Sequence, residues 1–185
     1  MYSFLNRCDE DAAHIVDVAL VCTGAEDEPK EFKVKRLQLE ALSPVFERML
    51  VAQMKESRET RVEIPGASAE VVDALAQFFK GEQPDLAALS KGNLATLIRH
   101  AHMYQLPPLR QRAEILLAKQ VTSKEAALEH LQTAWMLGLD ILLCAVFHAL
   151  ATSTTAEQLV QTPEWQITFG ESASHEAQLL FDAAQ

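Results

Sequence analysis

The sequence predicts an α+β protein, in which three short strands lie in the first third of the chain and helices make up most of the rest. A short β-branched apolar run at residues 17–22 and alternating segments at residues 31–36 and 61–64 predict the strands. Elsewhere from residue 43 onward, apolar residues recur at helical spacing between turn-forming residues. The composition, 49% hydrophobic and 23% charged, is that of a folded chain with a full core.

The three predicted strands differ in how we expect them to be buried. The unbroken apolar run at residues 17–22 is typical of a strand covered on both faces. In residues 31–36, Phe32 and Val34 alternate with lysines, which predicts the second strand of a hairpin with one face in water. Residues 61–64 alternate in the same way and end at a Pro-Gly turn.

Helix start signals divide the remainder of the first 121 residues. Ser43 as N-cap with Pro44 in the first turn predicts a helix, and Ser68 caps the next one. Further helices are expected around residues 94–104 and after the prolines at 107–108. The first of these helices has apolar residues at helical spacing, namely Val45, Phe46, Met49, Leu50 and Met54.

Beyond residue 121 the pattern is helical throughout. Thr122 with Glu125, and Thr154 with Glu157, each match a capping box. Between these boxes runs one long apolar stripe, comprising Leu128, Leu131, Trp135, Leu139, Leu142, Val146 and Leu150. We expect Gly138 to break this stripe into two helices that bury it.

Composition and cysteine usage limit the classes of protein that fit. The formal net charge of −10 argues against nucleic acid or an anionic membrane as the main partner. Cys8, Cys22 and Cys144 are odd in number and form no CxxC pair, which favours reduced thiols and an intracellular protein of the cytoplasm or nucleus. Cys22 and Cys144 are expected to be small core residues. No basic segment followed by an apolar run is present at the N-terminus, so no signal peptide is predicted.

The sequence contains no pattern typical of catalysis or of metal binding. Nucleotide-binding glycine motifs, a nucleophile elbow and the HExxH zinc motif do not occur. His100 and His102 are two residues apart on a predicted helix, so they face different directions. No cysteine or carboxylate stands beside them at ligand spacing. We therefore expect neither an enzyme nor a bound cofactor or metal.

The segment at residues 53–65, QMKESRETRVEIP, links a predicted helix to the third strand. Met54 ends the apolar stripe of that helix, and a charged stretch follows it. A polarizable methionine at a surface edge is a common protein-binding residue, although packing in the core would explain Met54 as well. The residues alone leave both interpretations open.

Taken together, these segments resemble a BTB/POZ domain. The resemblance rests on residues 17–20, on Phe32 through Ser43-Pro44-Val45-Phe46, on Met54-Lys55-Glu56-Ser57, on Arg61-Val62-Glu63-Ile64, on Phe78-Phe79-Lys80-Gly81 and on Leu97-Ile98-x-x-Ala101-x-x-Tyr104. Their order and spacing hold from residue 17 to about residue 121. The remainder is similar to the short helical, BACK-like extension of speckle-type POZ proteins, in which a helix pair is followed by a helix ending in a tryptophan, here Trp165. We therefore predict two domains, residues 1–121 and residues 122–185.

The resemblance implies a small sheet flanked by a cluster of helices and followed by an all-helical extension. It also implies a homodimer that forms through the N-terminal segment and the first helix. The residues expected at this dimer interface are Phe4, Leu5, Val18, Leu20 and Leu39.

The resemblance further implies an adaptor that recruits a cullin-type ubiquitin ligase to an unidentified client protein. In such adaptors the cullin docks on the helix after Ser-Pro-x-Phe, on the following loop and on later helices, and the loop carries an apolar-x-Glu signature. Here the signature is Met54-Lys55-Glu56, so Met54 would fill an apolar pocket and Glu56 would make a charge-assisted hydrogen bond. The expected cullin-binding residues are Phe46, Met49, Leu50, Met54, Glu56 and Tyr104.

Two departures from the family pattern bear on this interpretation. Lys35 stands where the family usually has a histidine, and Gln38 stands at a usually apolar position of the first helix that often lies in the dimer interface. An alternative function is a BTB dimerisation scaffold that binds co-regulator peptides without a ligase. The Met54-x-Glu56 signature and the helical extension favour the cullin adaptor.

Overall fold

The computed structural model describes residues 17–22, 30–51 and 61–183. Its strands form a three-stranded sheet. The strands are β1 (Asp17–Cys22), β2 (Glu31–Lys35) and β3 (Arg61–Ile64), in the spatial order β2-β1-β3. β1 pairs antiparallel with β2, so that Val18 lies opposite Val34, and parallel with β3, so that Leu20 lies opposite Val62. The three predicted strands are therefore confirmed.

Burial along the strands follows the predicted alternation. In β3, Val62 and Ile64 are buried and the two residues that alternate with them are exposed. In β1, Val18 and Leu20 are buried on one face, and Val21 is buried on the opposite face. The central strand is thus covered more completely than either neighbour, as its unbroken apolar sequence requires.

The chain divides into two compact units, Met1–Arg110 and Gln111–Gln185. The helices that lie wholly in the first unit are α1 (Arg36–Leu42), α2 (Pro44–Val51), α3 (Ala69–Phe79) and α4 (Lys91–Met103), with a short 3-10 turn at Leu86–Ala88. Ser68 and Ser90 cap α3 and α4 by accepting backbone hydrogen bonds from Val71 and Asn93. The α+β class expected from the sequence is confirmed.

No local sequence pattern predicted the helix α1, and only the family resemblance placed Gln38 in a first helix. It follows β2 directly, and its N-cap residue, Lys35, makes no side-chain capping hydrogen bond. Arg36 stabilises it instead, since its guanidinium pairs with Glu40 at 2.7 Å and donates to the carbonyl oxygen of Leu50 at 2.5 Å. The helix therefore depends on a contact with the end of α2 that no local sequence signal reveals.

The helix α5 (Pro107–Ala118) contains the division between the units, and from there to residue 183 the regular elements are all helical. These are α6 (Lys124–Leu137), α7 (Asp140–Ser153), α8 (Ala156–Val160), α9 (Pro163–Phe169) and α10 (Ala173–Ala183), with a 3-10 turn at Gly170–Ser172. Gly138 separates α6 from α7 as predicted, with a left-handed φ of 59°. The predicted domain boundary after residue 121 stays a prediction.

Several sequence-based details in the second unit were wrong. The helix caps are Ser123 and Thr155, each one residue later than predicted. The buried face of α6 consists of Ala127, His130, Leu131 and Ala134, whereas Trp135 is largely exposed. Cys144, expected in the core, is also exposed, while Cys22 is buried.

The described helices are short. Within residues 17–22, 30–51 and 61–183, none combines the length and the apolarity that a bilayer-spanning helix needs.

Candidate protein-docking surfaces

The hydroxyl of Ser43 fixes the start of α2. This side chain is fully buried, and its Oγ accepts a hydrogen bond from the backbone N–H of Phe46 at 3.2 Å. The same oxygen donates to the carbonyl oxygen of Tyr104 at 2.6 Å. One hydroxyl therefore caps α2 and ties it to the residue that follows α4.

Aromatic packing strengthens the same junction. The ring of Phe46 stacks on Tyr104 with centroids 4.6 Å apart, and it meets Phe79 edge-on at 5.3 Å. Burial raises the pKa of Tyr104 to about 12. The ring of His100 stacks on Tyr104 with centroids 6.0 Å apart. Burial, with a smaller contribution from the charge of Arg99, lowers the pKa of His100. α2 is thus held rigidly against the end of α4.

The residues predicted to bind a cullin take different positions around this junction. Phe46, Leu50 and Tyr104 are buried in the single chain, so they support the surface and cannot contact a partner directly. Met49 is half-buried and reaches the surface of α2. Met54 and Glu56 lie outside the described residues. The docking role of all these residues stays a prediction.

Exposed neighbours of the buried residues complete this surface. Glu47 and Arg48 lie on the outer side of α2, and the Arg48 guanidinium donates to the carbonyl oxygen of Pro44 at 3.0 Å. At the end of α4, Met103 is 48% exposed. We call Glu47, Met49 and Met103 the α2–α4 surface. Sequence reasoning missed Met103, although its place beside the predicted contact Tyr104 was a usable signal.

The predicted dimer residues are also core residues where the structure describes them. Val18, Leu20 and Leu39 are buried within the chain, and Phe4 and Leu5 lie outside the described residues. The large apolar side chains that α1 exposes are different ones, Leu37 and Leu42. Sequence reasoning missed both because no local pattern marked the bounds or the exposed side of α1.

Two of the open depressions in the first unit have linings that mix polar and apolar side chains. The larger, about 490 Å³, lies between α3 and α4 and includes Glu70, Asp73 and Asp85. The smaller, about 400 Å³, lies at the turn after α4, where Arg110 approaches Nδ1 of His102 at 3.4 Å. Across the described ranges, no group of three or more histidine, cysteine, aspartate or glutamate residues is arranged to hold a metal ion.

Comparison with known proteins assigns this arrangement to a family. The model of the BTB/POZ domain matches residues 5–121. Kelch-like protein 21 of Rattus norvegicus and that of Homo sapiens are each 31% identical to this chain over 107 residues, which is 57% of the chain. The matched region covers 17% of each relative's length, so this chain corresponds to a small part of those proteins. These relatives are Kelch-like, and the predicted likeness to speckle-type POZ proteins stays a prediction.

Proposed function

Because the chain belongs to the BTB/POZ domain family, we propose that it is a non-catalytic adaptor that forms a homodimer and recruits a cullin-type ubiquitin ligase to a client protein. The family resemblance supplies the partner class, and the chemistry of the described surface supports it. An adaptor needs a rigid surface with apolar anchors, since binding energy concentrates in a few well-supported side chains.

The observation that carries this proposal is the anchoring of α2. Ser43 and Phe46 lock the helix to Tyr104, so that the half-buried Met49 is presented from a fixed backbone. Met103 adds an exposed apolar side chain at the end of α4. A surface held in place before binding loses little conformational entropy when a partner docks.

We place Met54 and Glu56 in the same docking interaction on the basis of the apolar-x-Glu signature. Met54 would enter an apolar pocket of the cullin. Glu56 would form a charge-assisted hydrogen bond at the edge of that pocket. Phe46, Leu50 and Tyr104 then act as supports of the surface, because their side chains are buried.

For the homodimer we propose α1 as the contact helix. Its exposed Leu37 and Leu42 are the side chains that a second copy would cover, whereas Leu39 is buried within the chain. Gln38 is half-buried on the same helix, so a polar group would lie within the proposed interface. Phe4 and Leu5 are proposed to add the N-terminal part.

The cullin proposal is tested by calorimetric titration of the full chain with a purified cullin N-terminal domain. Met54→Arg should weaken binding by about thirtyfold or more, because it forces a charge into an apolar pocket. Glu56→Ala should weaken it less, by about 1–3 kcal/mol. Met103→Arg should weaken it by about tenfold if the α2–α4 surface takes part.

A matched control is available in the second unit. Leu179 has the same exposure as Met103, 48%, so Leu179→Arg introduces the same charge at an equally exposed apolar position. This variant should bind like the parent chain. Full-strength binding by Met54→Arg would remove the proposed mechanism, and failure of the parent chain to bind would favour the scaffold without a ligase.

A further inference from the structure

The outer side of α6 exposes large apolar side chains at its C-terminal end. Met136 is 73% exposed and Trp135 is 46% exposed. Trp135 is held in place, because its ring meets Phe169 edge-on at 4.9 Å and Phe169 packs on the buried Trp165 at 4.4 Å. A fixed indole presents apolar surface to a partner at little cost in side-chain entropy.

Acidic residues continue the same side of α6 toward its N-terminus. Glu125, Glu129, Gln132 and Met136 are spaced four, three and four residues apart, so they form one stripe along the helix, and all four are exposed. At 1.5 Å per residue, Glu129 lies about 10 Å and Glu125 about 16 Å along the axis from Met136. We call this stripe, together with Trp135, the α6 face.

The segment of the chain that carries the α6 face is strongly acidic. Residues 122–185 contain eight acidic residues and one basic residue, Lys124, whose ammonium approaches the hydroxyl of Thr154 at 3.5 Å. Hydrogen bonds from its own backbone N–H and from Ser123 lower the pKa of Glu125, so this carboxylate is ionised at neutral pH. An apolar edge beside fixed negative charge is complementary to a segment that combines apolar and basic residues.

We propose that the α6 face docks a cationic amphipathic segment of another protein. An apolar residue of that segment would cover Trp135 and Met136, and lysines or arginines about 10 and 16 Å away would face Glu129 and Glu125. A second copy of this chain is a poor occupant, because its own α6 face carries the same negative charge. An anionic membrane is disfavoured for the same reason. All the residues involved lie in the second unit, so the proposal does not depend on cullin binding.

The test uses the full chain and a fluorescent helical peptide of leucine and lysine, as long as the 14 residues of α6, with its leucines on one face. A matched peptide carries glutamate in place of lysine. Fluorescence anisotropy should show binding of the lysine peptide only, and the binding should weaken as salt rises. Met136→Glu and Glu129→Lys should each weaken binding of the lysine peptide about tenfold or more.

The control variant is Ile167→Glu on α9. The exposed fraction of Ile167, 68%, is similar to that of Met136. Ile167 lies about 200° around its helix from Trp165, which faces the core. This variant should bind the lysine peptide as the parent chain does, and circular dichroism melting curves should match for all variants. The proposal is overturned if the parent chain does not bind the lysine peptide, if both peptides bind equally, or if Met136→Glu and Ile167→Glu have the same effect.

Discussion

The cores of the two units contain different kinds of buried side chain. In the first unit, large aliphatic and aromatic side chains pack around a sheet, with Phe46 at the centre of an aromatic cluster. In the second, several of the buried helix positions are alanines, such as Ala127, Ala134 and Ala177, and one tryptophan, Trp165, supplies most of the aromatic volume. Helices that meet through alanine can approach closely, because the distance between helix axes depends on the side chains at the contact. Larger apolar residues of α6, such as Trp135 and Met136, are exposed.

This difference decides where apolar surface remains for partners. Among the described residues, the exposed large apolar side chains of the first unit are Leu37, Leu42 and Met103. Those of residues 111–185 are Ile115, Trp135, Met136, Ile141, Ile167 and Leu179. The helical unit therefore covers its own apolar residues less completely than the sheet-based unit does, and binding surfaces are expected in both.

The largest effect should come from the tryptophan that fills the second core. Trp165→Ala should destabilise the chain by about 3–5 kcal/mol, because it opens a cavity and leaves the carbonyl oxygen of Ala173 without its 2.8 Å hydrogen bond. Trp135→Ala removes the same side chain from the surface and should cost about 1 kcal/mol or less. Urea denaturation followed by circular dichroism measures both. Equal losses for the two variants would mean that the second core does not depend on Trp165.

A smaller effect is expected from a buried carboxylate. Oε1 of Glu114 on α5 accepts hydrogen bonds from the backbone N–H groups of Ile141 at 2.8 Å and Leu142 at 3.2 Å, and so caps α7, whose N-cap residue Leu139 cannot. Glu114→Ala should cost about 1–3 kcal/mol in urea denaturation, because these N–H groups lose their acceptor. Glu129→Ala, on the exposed side of α6, should change stability by about 0.5 kcal/mol or less. A Glu114 variant as stable as the Glu129 variant would contradict this capping role.

The smallest effect is a pH dependence in the first unit. The pKa of His100 is lowered from 6.5 by burial, so the folded chain favours the neutral ring. The resulting stability is complete above pH 6.5 and is lost as the pH falls through the lowered pKa. His100→Gln should therefore flatten the fall in melting temperature between about pH 7 and pH 5. His102→Gln, at the exposed neighbour, is the control, and an unchanged slope in the His100 variant would contradict the assignment.

The two units also differ in how much of their structure the sequence predicted. The strands of the first unit were predicted correctly, because alternating burial at Val62 and Ile64 leaves a direct trace in the sequence. The local patterns missed the helix α1, since its stability comes from the contact between Arg36 and the carbonyl oxygen of Leu50, which are distant in the sequence. A contact between residues fourteen positions apart has no local signature.

In the second unit the sequence predicted the buried face of α7, with Leu142, Val146 and Leu150, but it misplaced the caps and part of the buried face of α6. The caps were displaced because Thr122 and Ser123 are adjacent and both can cap a helix, and the capping box favoured Thr122 where the backbone selects Ser123. The buried face of α6 was misassigned because hydrophobic size favoured Trp135 over Ala134, whereas close helix packing favours the alanine. The capping role of Glu114 could not be predicted, since it is a tertiary contact.

The proposed docking residues form two groups, those that the family resemblance indicated and one that only the structure revealed. Phe46, Leu50 and Tyr104 were recognised as important by resemblance, and the structure places them beneath the surface. Met103 emerged only from its exposure in the folded chain. Resemblance therefore identified the region of the proposed site, and folding determines which of its side chains a partner can reach.

We propose above that this chain forms a homodimer and binds a cullin, and both properties can be measured together. The most direct measurement is multi-angle light scattering of the chain, alone and mixed with a cullin N-terminal domain, as each sample elutes from a size-exclusion column. We expect the chain alone to have twice the 20.5 kDa chain mass. When the cullin domain is added, we expect a heavier complex that holds two cullin domains. A species of 20.5 kDa that elutes apart from the cullin domain would contradict both expectations.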